Sequence, residues 1–370
     1  MKTVLLKVSD VLPYRNGMIA GIGRSSIGLI EEFLRISDPD IKFKIYCTGL
    51  KSVFFRHFYS WKISYHFLPI YLRRSTSFSR FIEPFLRKYF FTYDLFHITS
   101  NFDTIYYGEA FVVTIHDLIL FHEQPKCQVD FHIMAKKSKA IITCSEYTKK
   151  EIERLLDVQS DKIHVIPWGI NHNTFFPQNR KDIEQIKSKF GITKDYFFSC
   201  SCGSSRKNPD ISLEAFARLC SKYDNIQLVM VWGNCPPNLK EKYKTLINLR
   251  RIIIISGLSD RELSCLYTGA KATLFISSAE GFGFPLLESF ACGTPCITCN
   301  NTSLSELGNN LAYYVKERNV KETTEAIEYY ILNNINDVQR NAFIEYASKY
   351  TWRRTASEYI QVYKKILYDK

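Results

Sequence analysis

Two doubly wound α/β domains, each a parallel sheet covered by helices on both faces, are the architecture this sequence predicts, and three observations predict it. Short apolar runs at 4–8, 43–46, 95–98, 111–115, 140–144 and 164–166 alternate with helix-patterned segments. That is the rhythm of strands buried on both faces and joined by helical crossovers. A polar stretch at 177–189 interrupts it, and the pattern restarts at 197–202, 227–231, 251–255, 272–276 and 296–298. The chain of 370 residues, 46% hydrophobic, is also long enough for two cores of ordinary size. The expected division is a first domain at 1–175, a second at 176–350 and a terminal amphipathic helix at 351–370. Such sheets bind ligands beyond the carboxyl ends of their strands, so two of them are expected to face a cleft.

In chain order, the first strand leads into Gly17-Met18-Ile19-Ala20-Gly21-Ile22-Gly23-Arg24, with a helix expected from Ile27. Glycines before a helix N-terminus let backbone N–H groups approach an oxyanion. The segment lacks the full Gly-x-Gly-x-x-Gly spacing and a ribose-binding acid, which disfavours a dinucleotide site. Residues 51–88 hold eight Lys or Arg against the single acid Glu83, interleaved with aromatic side chains. That mixture suits an anionic bilayer, although core packing claims some of the rings. His97 ends one strand-like run and is a candidate to line the cleft. His116-Asp117 follows the run 112–115, where the histidine can bond a sugar hydroxyl or stabilise developing charge. Ser145 reads as the N-cap of the next helix.

In the second half, Gly203-Ser204-Ser205-Arg206-Lys207-Asn208-Pro209 closes the first strand and sets two cations where a diphosphate leaving group could be neutralised. A simple solvated Arg-Lys pair is the alternative. Ser256-Gly257-Leu258-Ser259-Asp260 precedes a helix, with Ser259 or Asp260 as its cap. The most informative stretch is Glu280-Gly281-Phe282-Gly283-Phe284-Pro285-Leu286-Leu287-Glu288, two carboxylates around a glycine turn that opens a helix. Gly281 and Gly283 permit the turn, and Pro285 suits the first helical turn. The helix N-terminus offers N–H groups, and the glutamates can accept hydrogen bonds from vicinal diols.

Composition narrows the field. With 49 Lys and Arg against 37 Asp and Glu, the charge of +12 fits nucleic acid, an anionic membrane or polyanionic small molecules. No nucleic-acid-binding module is recognisable, so nucleic acid is not expected as a partner. The start of the chain is strand-like rather than signal-like, and no apolar run approaches the roughly 20 residues of a membrane helix. A cytoplasmic protein, peripheral on the inner face of the plasma membrane, is the expectation. The 11 cysteines are odd in number and scattered, as reduced thiols are. Cys292, Cys296 and Cys299 have no histidine nearby, so no metal and no cofactor are expected.

The run 280–295, Glu-Gly-Phe-Gly-Phe-Pro-Leu-Leu-Glu-Ser-Phe-Ala-Cys-Gly-Thr-Pro, resembles the donor-site signature of the family 4 retaining glycosyltransferases of GT-B fold, and the resemblance extends over nearly the whole chain. It implies that Glu288 binds the nucleotide ribose, while Glu280 with Gly281, Phe282 and Gly283 faces the transferred sugar, and that Phe284 also belongs to the donor site. Arg206 and Lys207, with Gly203, would hold the diphosphate, and Leu258 would lie beside the nucleobase. Ser204 stands where many members carry a second phosphate-binding arginine. Gly21, Gly23 and Arg24 would face the diphosphate or the acceptor, His116 the donor sugar, and Asp117 the loop or an acceptor hydroxyl. The last helix would cross back to the first domain. The implied activity is front-face transfer of a hexosyl unit, mannosyl by general similarity, from a nucleotide sugar to a glycan or lipid-diphosphate-linked acceptor, as in O-antigen or other surface polysaccharide assembly. A sugar-nucleotide epimerase of the same fold, or a membrane-bound sugar-nucleotide sensor, would share many of these residues.

Overall fold

The computed structural model describes residues 1–8, 21–48, 65–68, 85–101, 108–200 and 202–368. The chain forms two compact units, Met1–Gly169 with Trp352–Lys370, and Ile170–Thr351. The divisions lie a few residues from the expected 175/176 and 350/351. Both fall where Ile170 and Thr351 form a parallel bridge and the Ile170 N–H bonds the Tyr350 carbonyl.

The first unit is built on seven parallel strands: β1 (Lys2–Lys7), β2 (Ile41–Thr48), β3 (Tyr65–Leu68), β4 (Leu95–Ile98), β5 (Phe111–Thr114), β6 (Ala140–Thr143) and β7 (Ile163–Val165). Their order is β3-β2-β1-β4-β5-β6-β7, so the winding reverses between β1 and β4. Successive side chains of β1 serve opposite cores. Val4 and Leu6 join Leu29, Ile30, Phe33, Tyr359 and Tyr363, whereas Leu5 joins Phe91, Phe121, Phe131 and Met134. Burial on both faces is why most of these strands read as apolar runs; β2 alternates instead, with Lys42 exposed and Lys44 half-buried.

Helix Trp352–Tyr368 belongs to this first core, where it lies along helix Gly21–Arg35. Gly28 makes the approach possible, because a Cβ there would stand 2.2 Å from the Trp352 ring. Helix Gly21–Arg35 begins earlier than the expected Ile27, so Gly21, Gly23 and Arg24 are helical rather than part of a flexible loop. The stripe Ser25, Gly28, Leu29 and Phe33 is buried at helical spacing. Tertiary burial along it overrides the poor helix propensity of the glycines. Gly17 and Ala20 lie outside the described residues.

The second unit has six parallel strands: β8 (Asp195–Ser199), β9 (Ile226–Val231), β10 (Ile252–Ile255), β11 (Ala272–Phe275), β12 (Cys296–Cys299) and β13 (Tyr313–Val315). The order β10-β9-β8-β11-β12-β13 reverses between β8 and β11. The polar stretch at 177–189 is not a plain linker. It carries helix Arg180–Phe190, capped by Asn179, whose side chain accepts from the Asp182 N–H.

Two strands were not expected from sequence, β3 and β13. The first lies inside the basic aromatic stretch 51–88 and pairs in parallel with β2. Arg87 of the same stretch is fully buried, 2.6 Å from Glu109 and with its guanidinium 3.8 Å from the Phe96 ring centre. It therefore adds nothing to a basic surface. Most of the remainder of 51–88 lies outside the described residues. Residues 85–90 form a helix that exposes Phe85, Tyr89 and Phe90. Among the described residues no helix is long and apolar enough to cross a membrane.

Candidate functional site

In the second unit the topology gathers the predicted residues. The segment after β8 and the segment after β11 leave adjacent strands at the point where the winding reverses, the usual ligand position of an open α/β sheet. Ser205–Lys207 form a single 3-10 turn, and Asn208 then adopts a left-handed conformation with φ 46° before Pro209 starts the next helix. Asn208 is buried, and its amide donates to the Ile276 carbonyl at 3.0 Å and to Ser278 Oγ at 2.7 Å. The Ser278 N–H returns a bond to the Arg206 carbonyl at 2.8 Å. The two segments are thus sewn together by backbone and amide bonds before any charge is considered.

The charges then meet on one carboxylate. Glu280 is buried, with Oε1 2.9 Å from Arg206 Nη1, in contact with Lys207 Nζ, and accepting from Ser277 Oγ at 2.7 Å. Burial alone would raise the Glu280 carboxyl, but Lys207 and Arg206, with the bonds from Lys207 and Ser277, hold it below its ordinary range. Lys207 also sits 4.7 Å from the centre of the Phe275 ring. The cluster carries one net positive charge at neutral pH.

The glycine turn follows. Gly283 has φ 118° and caps helix Phe284–Ala291, and a Cβ there would meet Leu304 at 2.7 Å. Ser303 Oγ bridges the carbonyls of Glu280 and Phe282 at 2.9 and 2.8 Å, fixing the turn from beneath. Phe282 is buried, 5.3 Å from Phe284. Within the helix Glu288 is buried and its Oε2 accepts from Tyr267 Oη at 2.9 Å; that hydroxyl also lies 3.0 Å from Cys200 Sγ.

Gly203 is exposed before the 3-10 turn, and Leu258 is half-buried after β10. Beside it Ser259 caps helix Asp260–Gly269 in a reciprocal box with Glu262, the capping task expected for this segment. Asn208, Ser277, Ser303 and Tyr267 were not anticipated. Asn208, Ser303 and Tyr267 act through partners 21 to 70 residues away and Ser277 through Glu280 three residues on, and none has a local pattern that marks it.

In the first unit His116 follows β5. Its Nε2 lies 2.7 Å from the Thr99 carbonyl oxygen, which only accepts, so Nε2 carries the proton. Nδ1 is therefore the lone-pair atom, buried and without a hydrogen-bond partner among the described residues. Burial pulls the imidazole down to about 4, against a smaller opposing effect of the Thr99 bond, so it is neutral at pH 7. The His116 N–H is held by Asn101 Oδ1 at 2.7 Å, and the ring lies 5.0 Å from that of Trp168. Two more buried oxygens lack a partner among the described residues, Ser26 Oγ and Thr143 Oγ1. Thr143 ends β6, and Ser26 lies in the helix that follows β1, so all three orphans belong to residues at or beyond the carboxyl ends of strands. Orphaned buried polar atoms are rare in folded proteins and call for an explanation.

Asp117 Oδ1 accepts from the Ile119 N–H at 3.1 Å and shapes the loop. Arg24 is half-buried in the first turn of its helix. Ser145 Oγ accepts from the Thr148 N–H and caps helix Glu146–Leu156 as expected. His97 departs from expectation. It is fully buried, with Nε2 2.9 Å from Thr114 Oγ1 and Nδ1 2.7 Å from Tyr363 Oη, so both ring nitrogens are used inside the core. It ties β4 to the last helix. Among the described residues no group of three His, Cys, Asp or Glu side chains is placed to hold a metal ion.

Two family models match the chain, Glycosyltransferase Family 4 over residues 21–174 and Glycosyl transferases group 1 over residues 181–350. The chain is 24% identical to O-antigen chain mannosyltransferase B of Escherichia coli, over 71% of this chain and 74% of that protein. It is 22% identical to the serotype-specific mannosyltransferase WbdA of E. coli over 63% of this chain, but spans only 29% of that longer protein. Among solved structures, a glycosyltransferase from Rickettsia africae ESF-5 superposes with a TM-score of 0.77 at 18% identity, covering 100% of this chain and 99% of that one. Anabaena Alr3699/HepE in complex with UDP-glucose superposes with a TM-score of 0.76 at 15% identity, covering 99% of this chain and 100% of that one. The chain belongs to the family 4 glycosyltransferases and has their GT-B fold.

Proposed function

We propose that this glycosyltransferase moves a hexosyl unit, mannosyl in the first instance, from a nucleoside-diphosphate sugar to a glycan or lipid-linked acceptor with retention of anomeric configuration. The observation that carries the reading is the Arg206–Lys207–Glu280 cluster under the glycine turn. It supplies two cations, preorganised by one buried carboxylate, at the mouth of a helix N-terminus. The anomeric C–O bond to the diphosphate breaks while Arg206 and Lys207 stabilise the charge that develops on the departing oxygen. The acceptor oxygen forms its bond on the same face, and its proton passes to that phosphate oxygen. Glu288, oriented by Tyr267, accepts from the ribose hydroxyls. His116, neutral and with its Nδ1 lone pair unused, accepts from a donor-sugar hydroxyl.

Mannose and an O-antigen type of acceptor are supported by the names of the E. coli relatives, and a nucleotide-sugar donor by the Anabaena complex. Exposed Phe85, Tyr89 and Phe90 beside Lys88 support peripheral attachment to an anionic bilayer. The test is acceptor-dependent release of nucleoside diphosphate from a panel of GDP- and UDP-sugars, with anomeric analysis of the product. Transfer from GDP-mannose with an α-linked product is expected, and turnover is expected to survive EDTA, since the two cations do the work of a divalent ion. Sugar interconversion without an acceptor, or binding without release, would overturn the proposal.

A further inference from the structure

A cavity lies in the Ile170–Thr351 unit, built from residues that play no part in the donor cluster. Its volume is about 260 Å³, and it opens between Asn310, the end of helix Val320–Leu332 and the start of helix Asp337–Ser348. In a chain with a formal charge of +12, its wall contains no charged side chain at all. Three rings line it, Tyr329, Tyr330 and Phe343, together with the amides of Asn310, Asn333, Asn334 and Gln339.

These amides and hydroxyls are unevenly committed. Asn333 donates its NH₂ to the Tyr329 carbonyl at 2.9 Å, which leaves its Oδ1 as an acceptor. The Gln339 Oε1 accepts from the Asn336 N–H at 3.0 Å in a capping box, which leaves its NH₂ as a donor. Asn310 and the hydroxyls of Tyr329 and Tyr330 make no hydrogen bond among the described residues; the Tyr330 ring is buried and that of Tyr329 is 43% exposed. Tyr313 and Tyr330 brace Tyr329, with ring centres 5.5 and 5.1 Å away, so its aromatic surface is held in place rather than free to swing.

One fixed aromatic surface, that of Tyr329, with the edges of the buried Tyr330 and Phe343 rings beside it and neutral donors and acceptors around it, matches a pyranose, which presents C–H faces to rings and equatorial hydroxyls to amides. No cation stands in the wall itself; Lys271 donates to Asn334 Oδ1 at 2.8 Å and pairs with Asp195, so a phosphorylated ligand would have to compete with both for it. A purely apolar ligand would strip water from the amides without replacing its bonds. The volume of about 260 Å³ falls just below the range of ligand pockets, roughly 300–1,000 Å³, which suits one sugar ring of a longer chain. We infer that this cavity is a second carbohydrate site, for a neutral glycan, distinct from the donor cluster at Glu280. The inference rests on the glycosyltransferase reading only in that the glycan held there is taken to be the acceptor or product chain.

The test is saturation-transfer NMR on the full chain with α-mannotriose and maltotriose, without donor and so independent of turnover. Wild type is expected to transfer saturation to at least one trisaccharide, and a Glu280→Gln variant to do so equally. Tyr329→Ala and, as a milder change at an exposed position, Gln339→Glu are expected to lose at least five-fold of the signal while keeping the wild-type unfolding temperature within about 2 °C and turnover on a short acceptor. With a long acceptor the same two variants are expected to raise KM several-fold at constant kcat. No signal from either trisaccharide in wild type, a signal abolished only by Glu280→Gln, or a signal unchanged in Gln339→Glu would overturn the inference. Absence of nucleoside-diphosphate release alongside a Tyr329-dependent signal would sink the transferase reading and leave the site standing.

Discussion

Glu280 and Glu288 stand eight residues apart in one turn-and-helix segment, yet their surroundings assign them different work. Glu280 is the counter-ion of Lys207 and Arg206, whereas Glu288 is bonded to a neutral phenol. Removing Glu288 should weaken binding of free nucleotide by ten-fold or more, about 1.4 kcal/mol or above. Removing Glu280 should lower turnover by at least 100-fold with nucleotide affinity retained, because the cations remain. Glu280→Ala should also lower stability, since it leaves the partly buried Lys207 and Arg206 cations without their shared counter-ion. Calorimetry with the nucleoside diphosphate and single-turnover rates separate the two; equal affinity in both variants would remove the assignment of Glu288.

The histidines make a prediction of their own. His97 and His116 are buried and neutral, pulled down to about 3 and about 4 by burial, with His116 adding to the effect on His97. The unfolded chain titrates both near 6.5, so it binds more protons than the native state below that pH. Their contribution is complete above about pH 6.5 and falls as pH drops toward 4 and 3, by about 2 kcal/mol per histidine at pH 5. Unfolding free energies between pH 7.5 and 5 should show this slope, and His97→Gln should flatten it. A slope unchanged in that variant would mean that His97 does not titrate as described.

At the scale of elements, the contact between helix Gly21–Arg35 and helix Trp352–Tyr368 turns on one missing methyl group. Alanine at position 28 would gain about 1 kcal/mol of helix propensity, yet its Cβ would lie 2.2 Å from the Trp352 ring. Overpacking of this kind typically destabilises by roughly 1–3 kcal/mol, so Gly28→Ala should lower the unfolding temperature. In Trp352→Ala the same substitution should become neutral or stabilising, which a double-mutant cycle on chemical denaturation reads directly. Additive effects would show that the two helices do not meet there.

Elements also show where reading from sequence succeeds. Runs such as 95–98 and 272–276 were legible because a strand buried on both faces is dominated by apolar residues, with His97 and Thr273 the single polar residue in each. Tyr65–Leu68 was not, because its rings sit among basic residues and read equally well as an interfacial surface. Tyr313–Val315 is only three residues long and carries no periodicity to detect. In the site, Glu280, Lys207 and the glycine turn were legible as one local motif and one short cationic segment. Asn208, Ser277, Ser303 and Tyr267 were not, because each serves a partner at least three and as many as 70 residues away, and only folding creates that relation. His97 was misread for a related reason: a histidine at a strand end looks the same whether it faces a ligand or a Tyr363 from the far end of the chain.

At the scale of the whole molecule, the first unit is discontinuous. Its sheet comes from Met1–Gly169, while Tyr359, Ile360, Val362 and Tyr363 of its core arrive from beyond the second unit. Truncation after residue 351 should therefore strip one face of β1 and β2 and leave His97 Nδ1 buried without Tyr363. The truncated chain should lose cooperative unfolding of the first unit while the second still melts as a unit. Two-phase calorimetry of the truncated protein checks this, and an unchanged first transition would contradict it.

That discontinuity also sets an order of events on the ribosome. Domains fold as units while the chain emerges, usually from the N-terminus onward. Here the Ile170–Thr351 unit has all its strands before the first unit has its last helix, so the segment synthesised second is the one able to finish folding first. The seven-stranded sheet must meanwhile wait, with the groove beside Gly28 open, until Trp352 and the tyrosines behind it leave the exit tunnel.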